Sequence, residues 1–345
     1  MISAKLSDSL KGEVIIPGDK SISHRSIIIP SISKGRCEVT NLLKSEDVLN
    51  TLEAFKLMGV NIFYENNKTI IEGKGLCGLI KPTKEIYLGN SGTSARLLLG
   101  LLATQKFSSK ITGDKSLASR PMKRISDPLM NMGADISTSV NGTLPIDVNG
   151  AELNNSNIEI NIPSAQIKSG LILAALNTRG VTTIVENNIT RDHTEIMLKD
   201  FGANISINYK NNKKIISIEG KKELISKNIN VPSDLSSSAF FIVATLINKN
   251  SIIKLNNINV NPTRNGILLA LEMMGANIKY INKRKVNSEK ICDMIVESSN
   301  LKGCELSSDM AKLMIDEYPI LSVAAAFADS PSIFRGLGEL RVKES

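Results

Sequence analysis

Hydrophobic and polar positions along this chain fall into a pattern that repeats. One phrase occurs four times, as LEAFKLMGVNI around Gly59, ISDPLMNMGADI around Gly133, IMLKDFGANI around Gly202 and LLALEMMGANI around Gly275. In each, apolar residues fall at helical spacing, a glycine follows, and a short alternating run comes next. These signals predict a helix closed by a C-terminal glycine and followed by a strand. The alternating run then meets Asn or Gly and resumes, as in NIFYENNKTIIEG, DISTSVNGTLPIDV and NISINYKNNKKIISIEG, which predicts β-hairpins.

A second phrase lies earlier in each unit. It opens with small polar residues and turns apolar: KSISHRSIIIPSI, NSGTSARLLLGLLA, SAQIKSGLILAAL, SDLSSSAFFIVATL and DEYPILSVAAAFA. Each predicts a helix whose first turn is rich in Ser, Thr or Asp. The unit therefore reads strand–helix–strand–helix–hairpin. Its four glycines are 74, 69 and 73 residues apart, a period expected of a duplicated structural unit. After the fifth opening the sequence reaches ELRVKES. By the period, another helix and glycine should follow, so roughly one further repeat of about 70 to 90 residues is expected.

The polar helix starts carry the candidate chemistry. A helix N-terminus presents unpaired N–H groups and a partial positive charge, where phosphates and carboxylates settle. The dipole contributes about 0.3–1 kcal/mol and a charged hydrogen bond about 1.5–3 kcal/mol. Lys20 and Arg25 in PGDKSISHRS would therefore outweigh the dipole, while Ser21 and Ser23 are expected to cap the helix and donate to an oxyanion. GNSGTSAR (Gly89 to Arg96) is a glycine-rich turn opening a helix, and lacks the Lys of a Walker loop. SLASRPMKR sets Arg120 before Pro121, a favoured first helical residue. PSAQIKS sets Ser164 and Gln166 at another start, and TRDHTE sets Arg191 and Asp192 at a further one. Arg264 stands near one more. Several anion-ready starts imply a substrate with several anionic groups. The second GDKS, Gly113 to Ser116, is out of phase with the repeat and reads as a surface turn. A general base is possible for either of the only histidines, His24 and His193, but both sit among charges and are expected to cap or to be exposed. MIDEYP pairs Asp316 with Glu317, and RVKES pairs Lys343 with Glu344. An acid beside a base in each segment fits proton transfer.

Composition narrows this picture. The 345 residues allow about two domains, and 42% hydrophobic with 22% charged residues fits folded cores rather than disorder. The net charge of +8 admits nucleic acid, an anionic membrane or small anionic substrates. Aromatics at 4%, with no Trp, argue against base stacking, and no long basic run tracks phosphates. Cys37, Cys77, Cys292 and Cys304 lack metal or redox spacing and read as reduced thiols. No metal cluster is expected. The N-terminus has no apolar signal core and no stretch reaches membrane-spanning length, so a cytoplasmic protein is expected.

GDKSISHRS, LGNSGTSARLL, SRPMKR, PSAQIKSG, TRDHTE, NPTRNG, IDEYPIL and ELRVKES together resemble the successive motifs of the 5-enolpyruvylshikimate-3-phosphate synthases. The resemblance runs from about residue 5 to Ser345. It implies an α/β (α+β) enolpyruvyl transferase fold of two domains, each made of βαβαββ units and hinged over the active site. Residues 20–230 would form one domain, and 1–19 with 231–345 the other. The implied reaction joins phosphoenolpyruvate to the 5-hydroxyl of shikimate 3-phosphate and releases phosphate. By resemblance, Lys20 contacts both substrates. Ser21, Arg25, Ser164, Ala165, Gln166 and Arg191 hold shikimate 3-phosphate. Gly92, Arg120 and Gln166 serve phosphoenolpyruvate. Asp316 is the base for the 5-hydroxyl, Lys343 assists it, both also bind shikimate 3-phosphate, Glu344 protonates the methylene carbon, and Lys20 belongs with them to the catalytic set. The family needs no cofactor, and a monomer acting on small molecules is expected. In the family an Arg follows KES and a further Arg and Lys come later; this sequence lacks them and is expected to be weakly active or inactive. Two alternatives are a transferase acting on UDP-N-acetylglucosamine and a non-catalytic phosphate-binding paralogue. The first usually carries a Cys in the loop that here reads GDKSLASRP.

Overall fold

Each periodic glycine stands one position beyond a helix C-cap, where the chain must turn. The computed structural model describes residues 8–342. In it φ is 84° at Gly59, 99° at Gly133, 86° at Gly202 and 84° at Gly275, the left-handed region open to glycine. At every one, the glycine N–H donates to the carbonyl three residues back and the next N–H to the carbonyl five back. Gly59 reaches Lys56 and Val60 reaches Phe55; Gly202 reaches Lys199 and Ala203 reaches Leu198. This double closure answers two orphan carbonyls and sends the chain into the next strand.

In chain order the first elements are β1 (Lys11–Val14), α1 (Lys20–Ser31), β2 (Lys34–Thr40), α2 (Glu46–Leu57), β3 (Asn61–Glu65) and β4 (Lys68–Lys74). Next come β5 (Ile86–Tyr87), α3 (Gly92–Leu102), β6 (Ser108–Thr112), α4 (Lys115–Ala118), α5 (Lys123–Asn131), β7 (Asp135–Thr138) and β8 (Ile146–Asn149). They are followed by β9 (Asn157–Ile160), α6 (Ala165–Leu176), β10 (Val181–Glu186), α7 (His193–Asp200), β11 (Asn204–Lys210), β12 (Lys213–Glu219) and β13 (Ile229–Asn230). Then come α8 (Leu235–Ile247), β14 (Ile252–Asn259), α9 (Gly266–Met273), β15 (Asn277–Val286) and β16 (Glu289–Glu297). Finally β17 (Glu305–Leu306), α10 (Ser308–Met314), α11 (Tyr318–Ala326), β18 (Ile333–Phe334) and a 3-10 helix, Leu337–Val342, are described.

Four sheets share one design, with orders β13-β2-β4-β3, β5-β6-β8-β7, β9-β10-β12-β11 and β1-β14-β16-β15. In each, a parallel pair adjoins an antiparallel hairpin, and the first three hairpins are those predicted from the alternating runs. Two opening strands come from afar in sequence. Ile229–Asn230 completes the first sheet and Lys11–Val14 completes the fourth. A parallel pair, β17 with β18, starts a fifth.

The chain divides into two compact units, Lys20–Val231 and Met1–Asp19 with Pro232–Ser345. Each has its own apolar core. In the unit 20–231, α3 and α6 are almost wholly buried, as their continuous apolar runs require. Their backbones touch. A Cβ on Gly100 would lie 1.9 Å from the Gly170 carbonyl oxygen. Only glycine permits this approach, and it sets the starts of the two helices side by side.

Most polar helix starts are caps. The Ser91, Ser164 and Asp234 side chains accept N–H bonds from Ser94 at 3.2 Å, Ile167 at 3.4 Å and Ser236 at 2.7 Å. Three expectations need correction. Ser23 does not cap α1, because its hydroxyl accepts the N–H of Leu43 at 3.0 Å and ties down the loop after β2. Pro121 is not the first residue of α5, which starts at Lys123, because the first intrahelical bond runs from the Ser126 N–H to the Met122 carbonyl and makes Met122 the cap. The second GDKS is more than a surface turn. Asp114 caps the one-turn helix α4 through Leu117 at 2.7 Å.

The left-handed closure can be tested at Gly202, where a Cβ would meet nothing within 4 Å. Gly202→Ala should lower stability by about 1–2 kcal/mol through backbone strain alone, and Gly202→Asn by less. Urea unfolding of both variants beside the parent measures the order.

Candidate active site

Arg25 organises the first cluster. It lies one helical turn after Ser21 on α1 and is 3% exposed. Its Nη1 donates to the Ser21 carbonyl at 2.8 Å, its Nε to Thr194 Oγ1 at 2.6 Å and its Nη2 to Ser169 Oγ at 2.8 Å. The two hydroxyls bond each other at 2.7 Å. One guanidinium thus joins α1, α6 and α7. Lys20, at the head of α1, pairs with Asp47 in the first turn of α2 and keeps about half its side chain exposed. Ser164 caps α6 directly before Ala165 and Gln166, and the half-buried Arg191 lies two residues before α7.

A second cluster surrounds Gly92. Arg96 Nη1 donates to the Gly92 carbonyl at 3.1 Å and to Gln166 Oε1 at 2.8 Å, and Gln166 Nε2 donates to Thr93 Oγ1 at 3.0 Å. Arg120 donates to Asn90 and, at 3.3 Å, to Ser116. A Cβ on Gly92 would lie 2.7 Å from Arg96 Nη1 and 3.0 Å from Arg120 Nη1. Burial, then the charges of Arg120 and Arg124, pulls the Arg96 pKa down to about 10. Positive charge is crowded here at the N-terminus of a helix, the environment an anion relieves.

With this geometry the family can be stated. The family model for EPSP synthase (3-phosphoshikimate 1-carboxyvinyltransferase) matches residues 5–345. The chain belongs to this family. It is 46% identical over 346 residues to the 3-phosphoshikimate 1-carboxyvinyltransferase of Rhizobium johnstonii, covering 99% of this chain and 76% of the relative. It is 44% identical over 347 residues to that of Paramagnetospirillum magneticum, covering 100% of this chain and 78% of the relative. A solved EPSP synthase from Acinetobacter baumannii superposes with a TM-score of 0.88 at 44% identity, over 98% of this chain and 76% of that one. The enolpyruvyl transferase fold expected from the sequence is the observed one.

The remaining candidates of this EPSP synthase family member lie elsewhere. Asp316 is exposed in the turn between α10 and α11, within the unit 1–19 with 232–345. Its neighbour Glu317 is buried, accepts from Ser236 and lies 4.0 Å from Arg264. The sequence pairing of these two acids is therefore split: Glu317 is tied into the fold and Asp316 faces solvent. Arg264 is not presented to an anion either. It is 3% exposed and pairs with Asp19 and, at 3.2 Å, with Asp234. Burial pulls its pKa down, but Asp19, Asp234, Glu317 and Asp316 push it well above the ordinary arginine value. Lys343 and Glu344 lie outside the described residues.

His24 is neither a cap nor exposed, and His193 is not exposed. Both are buried, at 0% and 1%. His24 Nδ1 meets Thr51 Oγ1 at 2.9 Å and Ser94 Oγ at 3.3 Å, and these hydroxyls meet at 2.5 Å. The network ties α1, α2 and α3 together. Burial, then Lys20 and Arg25, depresses the His24 pKa to about 3, so the ring is neutral and no general base near pH 7.

Sequence reasoning did not single out Arg96, Thr93, Asp47, Ser169 or Thr194 as site residues. Arg96 had a signal: it lies four residues after Gly92 on one helix face. Among the described residues, no group of three His, Cys, Asp or Glu side chains could hold a metal ion, and no helix is long and apolar enough to cross a membrane.

His24 also makes a pH prediction. Its folded pKa lies below its unfolded 6.5, so its contribution is complete above pH 6.5 and falls as pH drops toward 3. Between pH 6.5 and 5 the loss should be about 2 kcal/mol. Thermal unfolding of His24→Gln across this range should show a clearly flatter pH dependence than the parent.

Proposed function

We infer that this chain transfers the enolpyruvyl group of phosphoenolpyruvate to the 5-hydroxyl of shikimate 3-phosphate and releases phosphate, a step of the shikimate pathway. Two separately built cation clusters in the unit 20–231 carry the reading: the Arg25 clamp and the guanidinium pair at Gly92. Each substrate bears a phosphate and a carboxylate, so two clusters suit two substrates.

In this reading Arg25, Ser21, Ser164, Ala165, Gln166 and Arg191 bind shikimate 3-phosphate. Gly92, Arg120 and Gln166 bind phosphoenolpyruvate, and Lys20 contacts both. Asp316 accepts the 5-hydroxyl proton while that oxygen bonds to C2 of phosphoenolpyruvate, with Lys343 assisting both substrate binding and this step. Glu344 delivers a proton to C3, giving a tetrahedral intermediate. Loss of a C3 proton and departure of phosphate from C2 restore the double bond. The scheme uses no metal, cofactor or covalent enzyme species. The exposure of Asp316 and the burial of Glu317 support assigning the base to the former. We further propose that the two compact units are the two domains of the fold, and that the protein is a cytoplasmic monomer acting on small molecules rather than on nucleic acid or a membrane. Low aromatic content supports the last point.

Calorimetric titration tests the substrate. Shikimate 3-phosphate should bind saturably and UDP-N-acetylglucosamine should not. Arg25→Ala should weaken the binding by about tenfold or more, the scale of a lost charged hydrogen bond. Equal binding of the two ligands would overturn the assignment.

Gly92→Ala tests the second cluster. The atoms nearest to the methyl group are the far ends of two flexible side chains, so the fold should persist. Displacing Arg96 breaks its bond to Gln166. Affinity for phosphoenolpyruvate, titrated with shikimate 3-phosphate saturating, should drop about tenfold, with a smaller change for shikimate 3-phosphate itself.

A further inference from the structure

Behind the Arg25 clamp lie four buried ions that the scheme above does not use. Lys168 on α6 meets Glu186 at the end of β10 and Glu195 on α7, each at 2.9 Å. Lys214 on β12 meets Glu195 at 2.8 Å and Glu186 at 4.0 Å. All four side chains are 2% exposed or less. Burial raises the Glu186 pKa more than its neighbours lower it, whereas for Glu195 the two lysines overcome burial and pull the value down to about 2. The cluster thus sets two lysines against one carboxylate whose pKa is lowered and one whose pKa is raised.

Stability does not account for such a group. Taking four charges out of water is costly, and apolar replacements of similar volume are often neutral or stabilising. What ions supply is geometry. Apolar surfaces can slide, while a charged hydrogen bond holds its partners at fixed distance and angle.

The position of the cluster shows what that geometry would hold. Lys168 is the residue before Ser169, and Glu195 is the residue after Thr194. These are the two hydroxyls that receive Arg25. Lys168 also donates to the Thr190 carbonyl at 3.3 Å, and Thr190 Oγ1 donates to Glu186 at 2.5 Å. The residue next to Thr190 is Arg191. One cluster therefore grips the first turn of α6, the first turn of α7 and the loop that carries Arg191.

We propose that Lys168, Glu186, Glu195 and Lys214 are positioning residues, which fix Ser169, Thr194 and the Arg191 loop so that Arg25 and Arg191 present their guanidinium groups to the shikimate 3-phosphate anion. The proposal rests on the substrate reading above. None of the four touches the substrate. They act through Arg25 and Arg191.

The test is a cycle of variants read by calorimetric titration with shikimate 3-phosphate and by thermal unfolding. Lys214→Met with Glu186→Gln removes one charge of each sign and keeps the Lys168–Glu195 pair. This variant should stay folded and bind the ligand about tenfold more weakly. Arg25→Gln should then weaken binding clearly less in this background than in the parent, because the clamp is already misplaced. Additive losses, or unchanged affinity in a folded variant, would overturn the proposal and leave the substrate reading intact. Should the double variant not fold, Lys214→Arg, which keeps the charge and moves it, is put through the same cycle with the same deciding outcomes. A parent chain that does not bind shikimate 3-phosphate overturns the substrate reading and this inference with it.

Discussion

A guanidinium placed in a protein core must have its N–H donors met, and meeting them for Arg25 dictates much of the unit around it. Its acceptors include groups on three elements: the Ser21 carbonyl on α1, Ser169 on α6 and Thr194 on α7. An unanswered buried donor costs about 1–3 kcal/mol, so none of these elements can shift far without losing stability. The same bonds orient the guanidinium plane. Packing and binding geometry are here one set of contacts.

The repeat explains how several such starts arise in one unit. Each opening helix is polar in its first turn and apolar beyond it. The apolar halves of α3 and α6 press together until Gly100 and Gly170 touch, and this registers their polar starts. Cross-links then tie the starts: Arg96 to Gln166 between α3 and α6, His24 with Thr51 and Ser94 among α1, α2 and α3, and Lys20 to Asp47 between α1 and α2. The same architecture yields opposite electrostatics with different neighbours. Arg96 lies near Arg120 and Arg124 and has a depressed pKa. Arg264 lies among Asp19, Asp234 and Glu317 and has a raised one. One arrangement attracts an anion and the other has already consumed its charge internally.

What could be read from the sequence was what is local. A glycine after an apolar helix period specifies its own left-handed closure within six residues, so all four closures were legible. Ser91, Ser164 and Asp234 cap helices through residues two or three positions on, and those were legible too. Ser23 was misread because its partner, Leu43, is 20 residues away in a loop. His24 looked exposed because its flanks are charged, yet Lys20 and Arg25 turn to partners on other elements and leave the ring inside. Lys168, Glu195 and Lys214 carry no local signal of their burial, because their partners lie on other elements. The roles of single residues came from family resemblance, since no spacing rule reports which helix start meets which substrate.

In the unit 20–231 buried charge from helix starts meets buried charge from two strands, Glu186 on β10 and Lys214 on β12. Arg25, Lys168 and Glu195 all lie within two turns of a helix start, and the distal halves of α1, α3 and α6 are apolar. Hydrophobic burial is large but tolerant of small displacements, which suits the task of holding helices together. Hydrogen-bonded charge contributes less net stability and tolerates little displacement, which suits the task of aiming a guanidinium. Dividing the two tasks along one helix lets a repeated unit keep its packing constant while a few residues at its start change what it binds.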